Sequence, residues 1–453
     1  MRALVHGLAI TGASTVRALQ RHGHGVVVTD DTIDDAKRAL ADGLGVELTP
    51  PPDDDRLADW IAGFELVSPA PGVPERHRLV VAALAAGVPI ESEIEIAYRW
   101  EQLRPSGPRP ILAVTGTDGK TSTTELTVAI LRAGGLHTAA LGNTDVPLLD
   151  AIDDDAYDAF VVECTSFRLA FTREFRADAA VWLNLAPDHL NWHTAMDTYE
   201  AAKARIFAQQ RPDDVAIGFV EDPVVMTHLA AAPSRRRTFG TTGADYRVEG
   251  EWLVGPDGPI VETTVMRRSL PHDRTNALAA SALVLESGLA GNADIAAALA
   301  DFCAPEHRLE PIVEAGGVTW YNDSKATTPH AAATAIRAFD SLVLIAGGSR
   351  KGVSLAPMAA EPRRLRAVVA IGEATSDVHD AFDGSVDVVD AASMPEAVAT
   401  AHHLARPGDA VVLSPGCASF DWYRDYTERG TVFKQLVHDH LAAHAARSQD
   451  TTR

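Results

Sequence analysis

Ile111-Leu-Ala-Val-Thr-Gly-Thr-Asp-Gly-Lys-Thr121 is an apolar run that breaks into a glycine loop and then opens a helix on Gly-Lys-Thr. The run 111–114 predicts a buried strand, and the loop and helix start after it have the parts needed to hold a polyphosphate. Glycines let backbone N–H groups close around an anion, a helix N-terminus adds its dipole, Lys120 supplies a cation and Thr121 a hydroxyl suited to Mg²⁺. The loop is shorter than a standard P-loop, since Val114 stands where that pattern asks for its first glycine. A surface turn could carry a lysine by chance, but here strand, loop and helix stand in order.

Outward from this stretch, short β-branched runs alternate with alanine-rich segments of helical length, the rhythm of βα units around parallel sheets. On the N-terminal side a strand is expected over 2–6, a turn over 7–12, a helix over 13–21 and a second strand over 25–29, half of a doubly wound sheet. Residues 79–90 read as a buried helix followed by a strand. Arg104-Pro-Ser-Gly-Pro-Arg-Pro110 cannot continue a helix and marks a linker. On the C-terminal side 212–264 reads as a β-rich elaboration whose Arg235-Arg-Arg237 is a solvated face. Helices over 275–288 and 293–302 close this unit, and 304–308 looks like a second hinge. Strands are then expected near Val318 and over 342–346, 367–371 and 410–413, before a frayed tail from Ala443. The expected architecture is α/β in three domains: an N-terminal Rossmann-like domain over 1–105, a central P-loop ATPase-type parallel sheet over 106–304 and a C-terminal Rossmann-like domain over 305–453.

A chain of 453 residues with 46% apolar and 23% charged residues has what three packed cores need and is not a disordered composition. Its 40 Lys+Arg against 62 Asp+Glu give a net charge of −22, a field that repels polyanions and argues against a nucleic-acid binder. Three scattered cysteines, Cys164, Cys303 and Cys417, are no disulfide framework and fit a reducing compartment. No window approaches the roughly 18 apolar residues of a membrane span. A cytoplasmic location with no membrane association is expected.

Further candidate groups sit where predicted strands end. Ala159-Phe-Val-Val-Glu163 delivers a carboxylate, and Pro187-Asp-His189, after the run 180–185, an imidazole. Open α/β sheets collect their ligands at such ends. Gly7-x-Ala9-x-x-Gly12, with Asp30 placed for a ribose, is a degenerate dinucleotide fingerprint lacking its middle glycine. In the last third, Tyr321-Asn-Asp-Ser-Lys-Ala-Thr-Thr328, Ala346-Gly-Gly-Ser-Arg-Lys351 and Ser414-Pro-Gly-Cys-Ala-Ser-Phe-Asp421 supply small, hydroxyl and cationic residues of the kind that receive carboxylates or phosphates.

Together these motifs resemble the Mur ligase family, in the family's order along essentially the whole chain. The carriers are Thr115-Gly-Thr-Asp-Gly-Lys-Thr121, Leu185-Ala-Pro-Asp-His-Leu-Asn-Trp-His193, Tyr199-Glu-Ala-Ala-Lys-Ala-Arg-Ile-Phe207, His307-Arg-Leu-Glu310, Asn322-Asp-Ser-Lys-Ala-Thr327 and Leu413-Ser-Pro-Gly-Cys-Ala-Ser-Phe-Asp421. The resemblance implies an ADP-forming acid–amino-acid ligase of peptidoglycan precursor synthesis, and so of cell-wall biogenesis, cell shape and cell division. It would be a monomer using ATP and Mg²⁺ to add D-glutamate to UDP-N-acetylmuramoyl-L-alanine. It implies that Gly116, Thr117, Asp118, Gly119, Lys120 and Thr121 hold ATP phosphates, with Asn276, Arg308 and Asp323 also on the nucleotide. Thr121, Glu163, His189 and a carbamylated Lys203 would serve the metal, and Lys325 the developing phosphate, so that Lys120, His189, Lys203 and Lys325 form the catalytic set. Ile10, Thr11, Gly12, Asp30 and Ser68 would surround the uridine, Asn143 the muramoyl part, and Thr327, Lys351, Ser419 and Phe420 the incoming glutamate.

The chain departs from the family pattern at Asp118 in the phosphate loop, Arg168 after Glu163, Thr144-Asp145 after Asn143, Asp273 before Asn276, and Pro69-Ala-Pro-Gly72. Three other readings stay open: an NAD-dependent oxidoreductase built on the N-terminal fingerprint, a nucleotide-binding protein without ligation, and a ligase of this type for L-glutamate or another acceptor.

Overall fold

The structure, a computed structural model, describes residues 1–303, 305–350 and 352–450, with side chains through His444. The chain falls into two compact units, Met1–Ser269 with Asp273–Phe302, and Leu270–His272 with Cys303–Arg453.

The first unit contains two parallel sheets. The N-terminal sheet orders its strands Leu48–Thr49, Gly25–Thr29, Arg2–His6 and Leu66–Pro69, all parallel. The central sheet runs Arg235–Phe239, Val215–Phe219, Ala179–Trp182, Ile111–Thr115, Phe160–Glu163 and Ala140–Gly142, again all parallel. Strands buried on both faces have no polar side to show, which is why 111–114 and 159–162 read as unbroken apolar runs. A small antiparallel sheet, Arg247–Glu249, Trp252–Gly255 and Gly258–Glu262, is appended.

One apolar cluster runs continuously from Val5, Val16 and Leu19 through Ile94, Leu148 and Leu149 to Phe160 and Trp182, which makes the two parallel sheets one body. The expected linker is pinned inside it. Arg109, 7% exposed, donates through Nε and one terminal nitrogen to the two oxygens of Glu101 at 2.9 and 2.8 Å, and through its guanidinium to the carbonyls of Ile152 and Asp154. Nearby, buried Glu95 accepts the backbone N–H groups of Arg173, Glu174 and Phe175.

The second unit has a six-stranded sheet ordered Glu310–Ala315, Val318–Asn322, Ala410–Leu413, Leu342–Gly347, Leu365–Ile371 and Val388–Ala391. Only its first pair is antiparallel. Alternate residues of its central strands serve opposite faces, Leu344, Val368 and Val412 on one and Val343, Val369 and Val411 on the other.

Several sequence expectations are corrected. The first helix is Ile10–Arg21, so Ile10, Thr11 and Gly12 lie in its first turn and not in a loop. The segment after Leu79 forms a helix, Arg78–Ala86, with one wet face, Val81 and Leu84 being 52% and 66% exposed, and Ile90 contributes only a single bridge. Within 212–264, Val215–Phe219 and Arg235–Phe239 extend the central sheet around a helix, Pro223–Ala231, and only the last three strands are a separate elaboration. Arg235 and Arg236 are exposed, as expected of a solvated face, and Arg235 and Arg237 pair there with Glu286. The strands Glu310–Ala315 and Val388–Ala391 were not foreseen, and the expected fraying from Ala443 is replaced by a helix, Tyr426–Asp450. No helix among the described residues is long and apolar enough to cross a membrane.

The turn from the first strand into the first helix depends on two glycines. Gly7 has φ +93°, and a Cβ on Gly12 would run into the Gly7 carbonyl oxygen. Gly12→Ala should therefore destabilise the first unit by about 1–3 kcal/mol. Gly43→Ala, in the helix Asp35–Leu44 with open space around its Cα, should stabilise by about 0.5–1 kcal/mol. Denaturant unfolding of the two variants checks both signs.

Candidate functional site

The strand Ile111–Thr115 ends in the glycine loop, and the helix Lys120–Ala133 begins directly after it. Gly119 occupies the N-cap with φ +83° and offers no side-chain cap. A Cβ there would stand 2.9 Å from Asn276 Oδ1, so only glycine admits Asn276 to the loop. Asn276 also lies 3.4 Å from Thr123 Oγ1, which places this residue of the helix Pro271–Ser287 beside the glycine loop.

The loop is shaped by Asn184, two residues past the strand Ala179–Trp182. Its Oδ1 accepts the N–H groups of Thr117 and Asp118 at 3.0 and 2.9 Å, and its Nδ2 donates to the Asp118 carbonyl. Thr117 Oγ1 lies 3.0 Å from Tyr199 OH and accepts the N–H of Ala186. Asn184 was not singled out from sequence; its only signal there is a polar side chain directly following a buried strand.

Two lysines converge on one carbonyl oxygen. Lys120 Nζ donates to Gly116 O at 2.9 Å and to Thr117 O at 2.8 Å, and Lys203 Nζ donates to Gly116 O at 2.6 Å. Lys203, 1% exposed, lies on the helix Met196–Ala208 with its Nζ 4.8 Å from the centre of the Tyr199 ring. Burial, and then the charge of Lys120, hold its pKa well below the usual lysine range against the opposing fields of Asp188 and Asp118. The Asp118 carboxylate, a departure from the family pattern, is thus near enough to Lys203 to oppose that depression. His189 sits at φ +56° with Nε2 3.2 Å from Asp188 Oδ2, edge-on to Phe167 and 6.2 Å from the Tyr199 ring.

A second network holds Glu163, the buried last residue of Phe160–Glu163. Its Oε1 accepts Asn143 Nδ2 at 2.8 Å, while its Oε2 is buried without a hydrogen-bond partner among the described residues. Arg168, 4% exposed, donates to Asn143 Oδ1 at 2.9 Å, to Glu93 Oε1 at 3.1 Å and to Thr11 Oγ1 at 3.2 Å. The guanidinium therefore ties Thr11 of the first helix to Asn143 and, through it, to Glu163. Burial raises the Glu93 pKa, with Arg168 opposing.

At the end of the N-terminal sheet, Asp30 accepts Leu8 N–H, Thr32 N–H and Lys37 Nζ. Burial would raise its pKa, but these bonds together hold it below the usual value. Ser68 is buried in the strand Leu66–Pro69, and Ile10 is 61% exposed. Asp273 makes a two-pronged pair with Arg268, a local use that accounts for the departure from asparagine there.

In the second unit Asp323 accepts Ser414 Oγ at 2.7 Å and Leu309 N–H at 3.1 Å. Lys325 Nζ lies 3.8 Å from the centre of the Tyr426 ring, and burial, which raises the Tyr426 pKa, is outweighed by that lysine. Arg308 follows His307, whose φ is +62°. Thr327 N–H donates to Lys325 O, Ser419 is buried with its carbonyl capping Trp422 and Tyr423, and Phe420 is 73% exposed. Lys351 lies outside the described residues. Arg429, 1% exposed and not foreseen, clamps these loops by donating to Ser324 Oγ and O and to the carbonyls of Cys417 and Ala418.

Residues 114–284 match the Mur ligase middle domain, and 307–417 match the Mur ligase glutamate ligase domain. The chain belongs to the Mur ligase family. It is 39% identical to UDP-N-acetylmuramoylalanine–D-glutamate ligase of Frankia casuarinae, over 96% of this chain and 93% of that one. It is 37% identical to the protein of the same name from Streptomyces avermitilis, over 96% and 97%. Among solved structures, MurF ligase from Thermotoga maritima in complex with ADP matches with a TM-score of 0.61 at 15% identity, over 98% of this chain and 95% of that one. UDP-N-acetylmuramate-alanine ligase MurC from the same organism matches with a TM-score of 0.59 at 18% identity, over 97% and 100%. The likeness to these structures is one of fold.

Burial pushes the Asp323 carboxyl up to about 6, against the bonds from Ser414 and Leu309 that favour its ionised form. Between about pH 4 and 6 the unfolded chain has lost this proton while the folded chain keeps it, so the contribution of Asp323 to stability falls as pH rises through that window. Unfolding of the second unit, compared between the native chain and Asp323→Asn at either end of the window, should show the native chain losing up to about 3 kcal/mol relative to the variant.

Proposed function

We propose that this chain joins D-glutamate to UDP-N-acetylmuramoyl-L-alanine at the expense of ATP, releasing ADP and phosphate, in the synthesis of the peptidoglycan precursor. The observation that carries the reading is the convergence of Lys120 and Lys203 on Gly116 O at the start of a helix without a side-chain cap. The names of relatives at 36–39% identity over 96% of the chain support the amino acid and the acceptor.

The chemistry stems from the weakness of a carboxylate as an electrophile. A carboxylate oxygen of the acceptor attacks the γ-phosphorus of ATP, the bond to ADP breaks, and an acyl phosphate forms. The glutamate amine then attacks the carbonyl carbon, phosphate leaves with the C–O electron pair, and the amine loses a proton. Phosphoryl transfer of this kind is accelerated by positioning and charge neutralisation. Gly116 to Thr121, Asn276, Arg308 and Asp323 hold ATP, and Lys325 meets the phosphate as it develops. Ile10, Thr11, Gly12, Asp30 and Ser68 take the uridine and Asn143 the muramoyl part. Thr327, Ser419, Phe420 and Lys351 take the glutamate. These roles divide the chain at 1–105, 106–304 and 305–453.

The donor set fits Mg²⁺. Glu163 offers a buried carboxylate oxygen with no hydrogen-bond partner among the described residues, and Thr121 a hydroxyl in the first helical turn. His189 and Lys203 complete the set, and the ion, when bound, supplies charge neutralisation to the phosphates. An ammonium at Lys203 would oppose a cation. Its depressed pKa favours the neutral amine, the form that adds to the carbon of CO₂ and loses a proton, giving a carbamate with oxygen donors. The protein is proposed to act as a monomer in the cytoplasm.

Release of ADP that requires both acceptor and D-glutamate, and that L-glutamate does not support, is the expected result of one turnover assay. Activity with L-glutamate alone would reassign the amino acid, and ADP release without either co-substrate would remove the ligase reading. Lys120→Ala should lower kcat by at least about 10³-fold, since it removes a fixed cation at the transferring phosphate. Lys203→Ala should be nearly inactive and partly restored by added short carboxylic acids that occupy the vacated space; a fully active variant would refute the carbamate.

A further inference from the structure

Two imidazoles and a carboxylate meet at the carboxyl end of the N-terminal sheet, and the ligase chemistry uses none of them. His6 is the last residue of the strand Arg2–His6 and is 2% exposed. Asp31 lies two residues past the strand Gly25–Thr29, and His77 directly precedes the helix Arg78–Ala86. One ligand atom from each lies within 4.8 Å of the other two. Asp31 Oδ2 is 2.9 Å from His77 Nε2 and 3.6 Å from His6 Nε2, and the two ring centres are 4.7 Å apart. Ligands about 2.0–2.1 Å from a tetrahedral ion stand about 3.3–3.4 Å from one another. The two measured edges bracket that separation, while the rings are stacked at 26°, so one imidazole must also turn for both Nε2 lone pairs to meet at one ion.

The surroundings support the same reading. His6 Nδ1 is 3.0 Å from Thr29 Oγ1, the kind of outer partner that fixes the orientation of a metal-bound imidazole and leaves Nε2 as the ligand. Burial, and then His77, lower the His6 pKa to about 4, so the ring is neutral at working pH, as a ligand must be. The neighbouring Asp30 is already engaged by Lys37, Leu8 N–H and Thr32 N–H, which leaves Asp31 as the carboxylate available. In the absence of an ion, His77 Nε2–H donates to Asp31 while its Nδ1 accepts the Leu79 N–H at 3.3 Å. An ion at Nε2 would move the proton to Nδ1 and exchange that long capping bond for a metal bond.

We infer that His6, Asp31 and His77 form a binding site for one divalent transition-metal ion of the zinc class, with a coordination position left open. Two nitrogens and one oxygen suit zinc and its neighbours, whereas a set in which nitrogens outnumber oxygens is a poor match for Mg²⁺, which prefers oxygen. A bound ion ties the ends of two adjacent strands to the loop that leads into Arg78–Ala86. The site stands or falls apart from the ligase reading.

The test is a titration of metal-free protein with Co²⁺ in a large excess of Mg²⁺, which keeps the phosphate-loop site out of the signal. The expected result is one equivalent of Co²⁺ with the strong visible bands of a four-coordinate nitrogen and oxygen site, discharged by Zn²⁺. Thermal unfolding with Zn²⁺ alone should shift upward as the ion concentration rises above its Kd. His6→Gln and His77→Gln should abolish the bands, and Thr29→Val should weaken binding about tenfold by releasing the His6 ring. Should His6→Gln fail to fold, His77→Gln and Asp31→Asn decide. Absence of the bands in the native chain, or their survival in the folded His77→Gln and Asp31→Asn variants, overturns the assignment.

Discussion

Two lysine side chains on the carbonyl oxygen of Gly116 are the constraint around which the first unit is organised. Like charges cannot share so small an acceptor at low cost, and one of the two is fully buried. The conflict shows in the lowered pKa of Lys203, which burial and then the charge of Lys120 depress while the aspartates at 118 and 188 moderate the field. The other contacts that shape the loop serve to hold Gly116 in place. Asn184 binds the next two residues, Tyr199 closes over Thr117, and Gly119 makes room for Asn276.

The phosphate loop was legible because its parts are contiguous in sequence, and a strand, a glycine turn and a Gly-Lys-Thr helix start announce themselves within eleven residues. Glu163, at the end of one buried run, and His189, in the segment that follows another, drew notice as ionisable groups near the ends of strands beside the phosphate loop. Asn184 stands in a like position, yet its amide was passed over in favour of the ionisable groups around it. Arg168 was seen only as a departure from a family pattern. Its role depends on Thr11, Glu93 and Asn143, which lie 157, 75 and 25 residues away, and no local pattern encodes such a meeting. Arg429 was missed for the same reason, since its partners are carbonyls of loops 11 to 105 residues distant.

At the level of the fold, the doubly buried parallel strands at 111–115 and 342–347 were legible, the buried Val215–Phe219 was absorbed into a supposed separate elaboration, and strands at sheet edges were poorly legible. Val388–Ala391 is exposed along much of its length and Glu310–Ala315 carries a proline and two glutamates, so neither offered a long apolar run. The linker at 104–110 was rightly read as a break between helix and strand. Its proline content says nothing about Glu101, whose carboxylate grips Arg109 from within the preceding helix and turns a break in secondary structure into a fixed joint.

The buried pair of Arg168 and Glu93 also limits how this sequence can change. Removing the guanidinium alone would strand a carboxylate that is fully enclosed and already has one oxygen, Oε2, without a hydrogen-bond partner among the described residues. Losing one member of such a pair typically costs about 3–5 kcal/mol, a large part of what holds a domain folded. Neutralising Glu93 first leaves a guanidinium that Asn143 and Thr11 still partly satisfy, so a lineage exchanging the pair for uncharged residues would cross the lower barrier by altering the helix Glu93–Glu101 before the loop at 168. The order of substitutions at two positions 75 residues apart is thus written into a single ion pair.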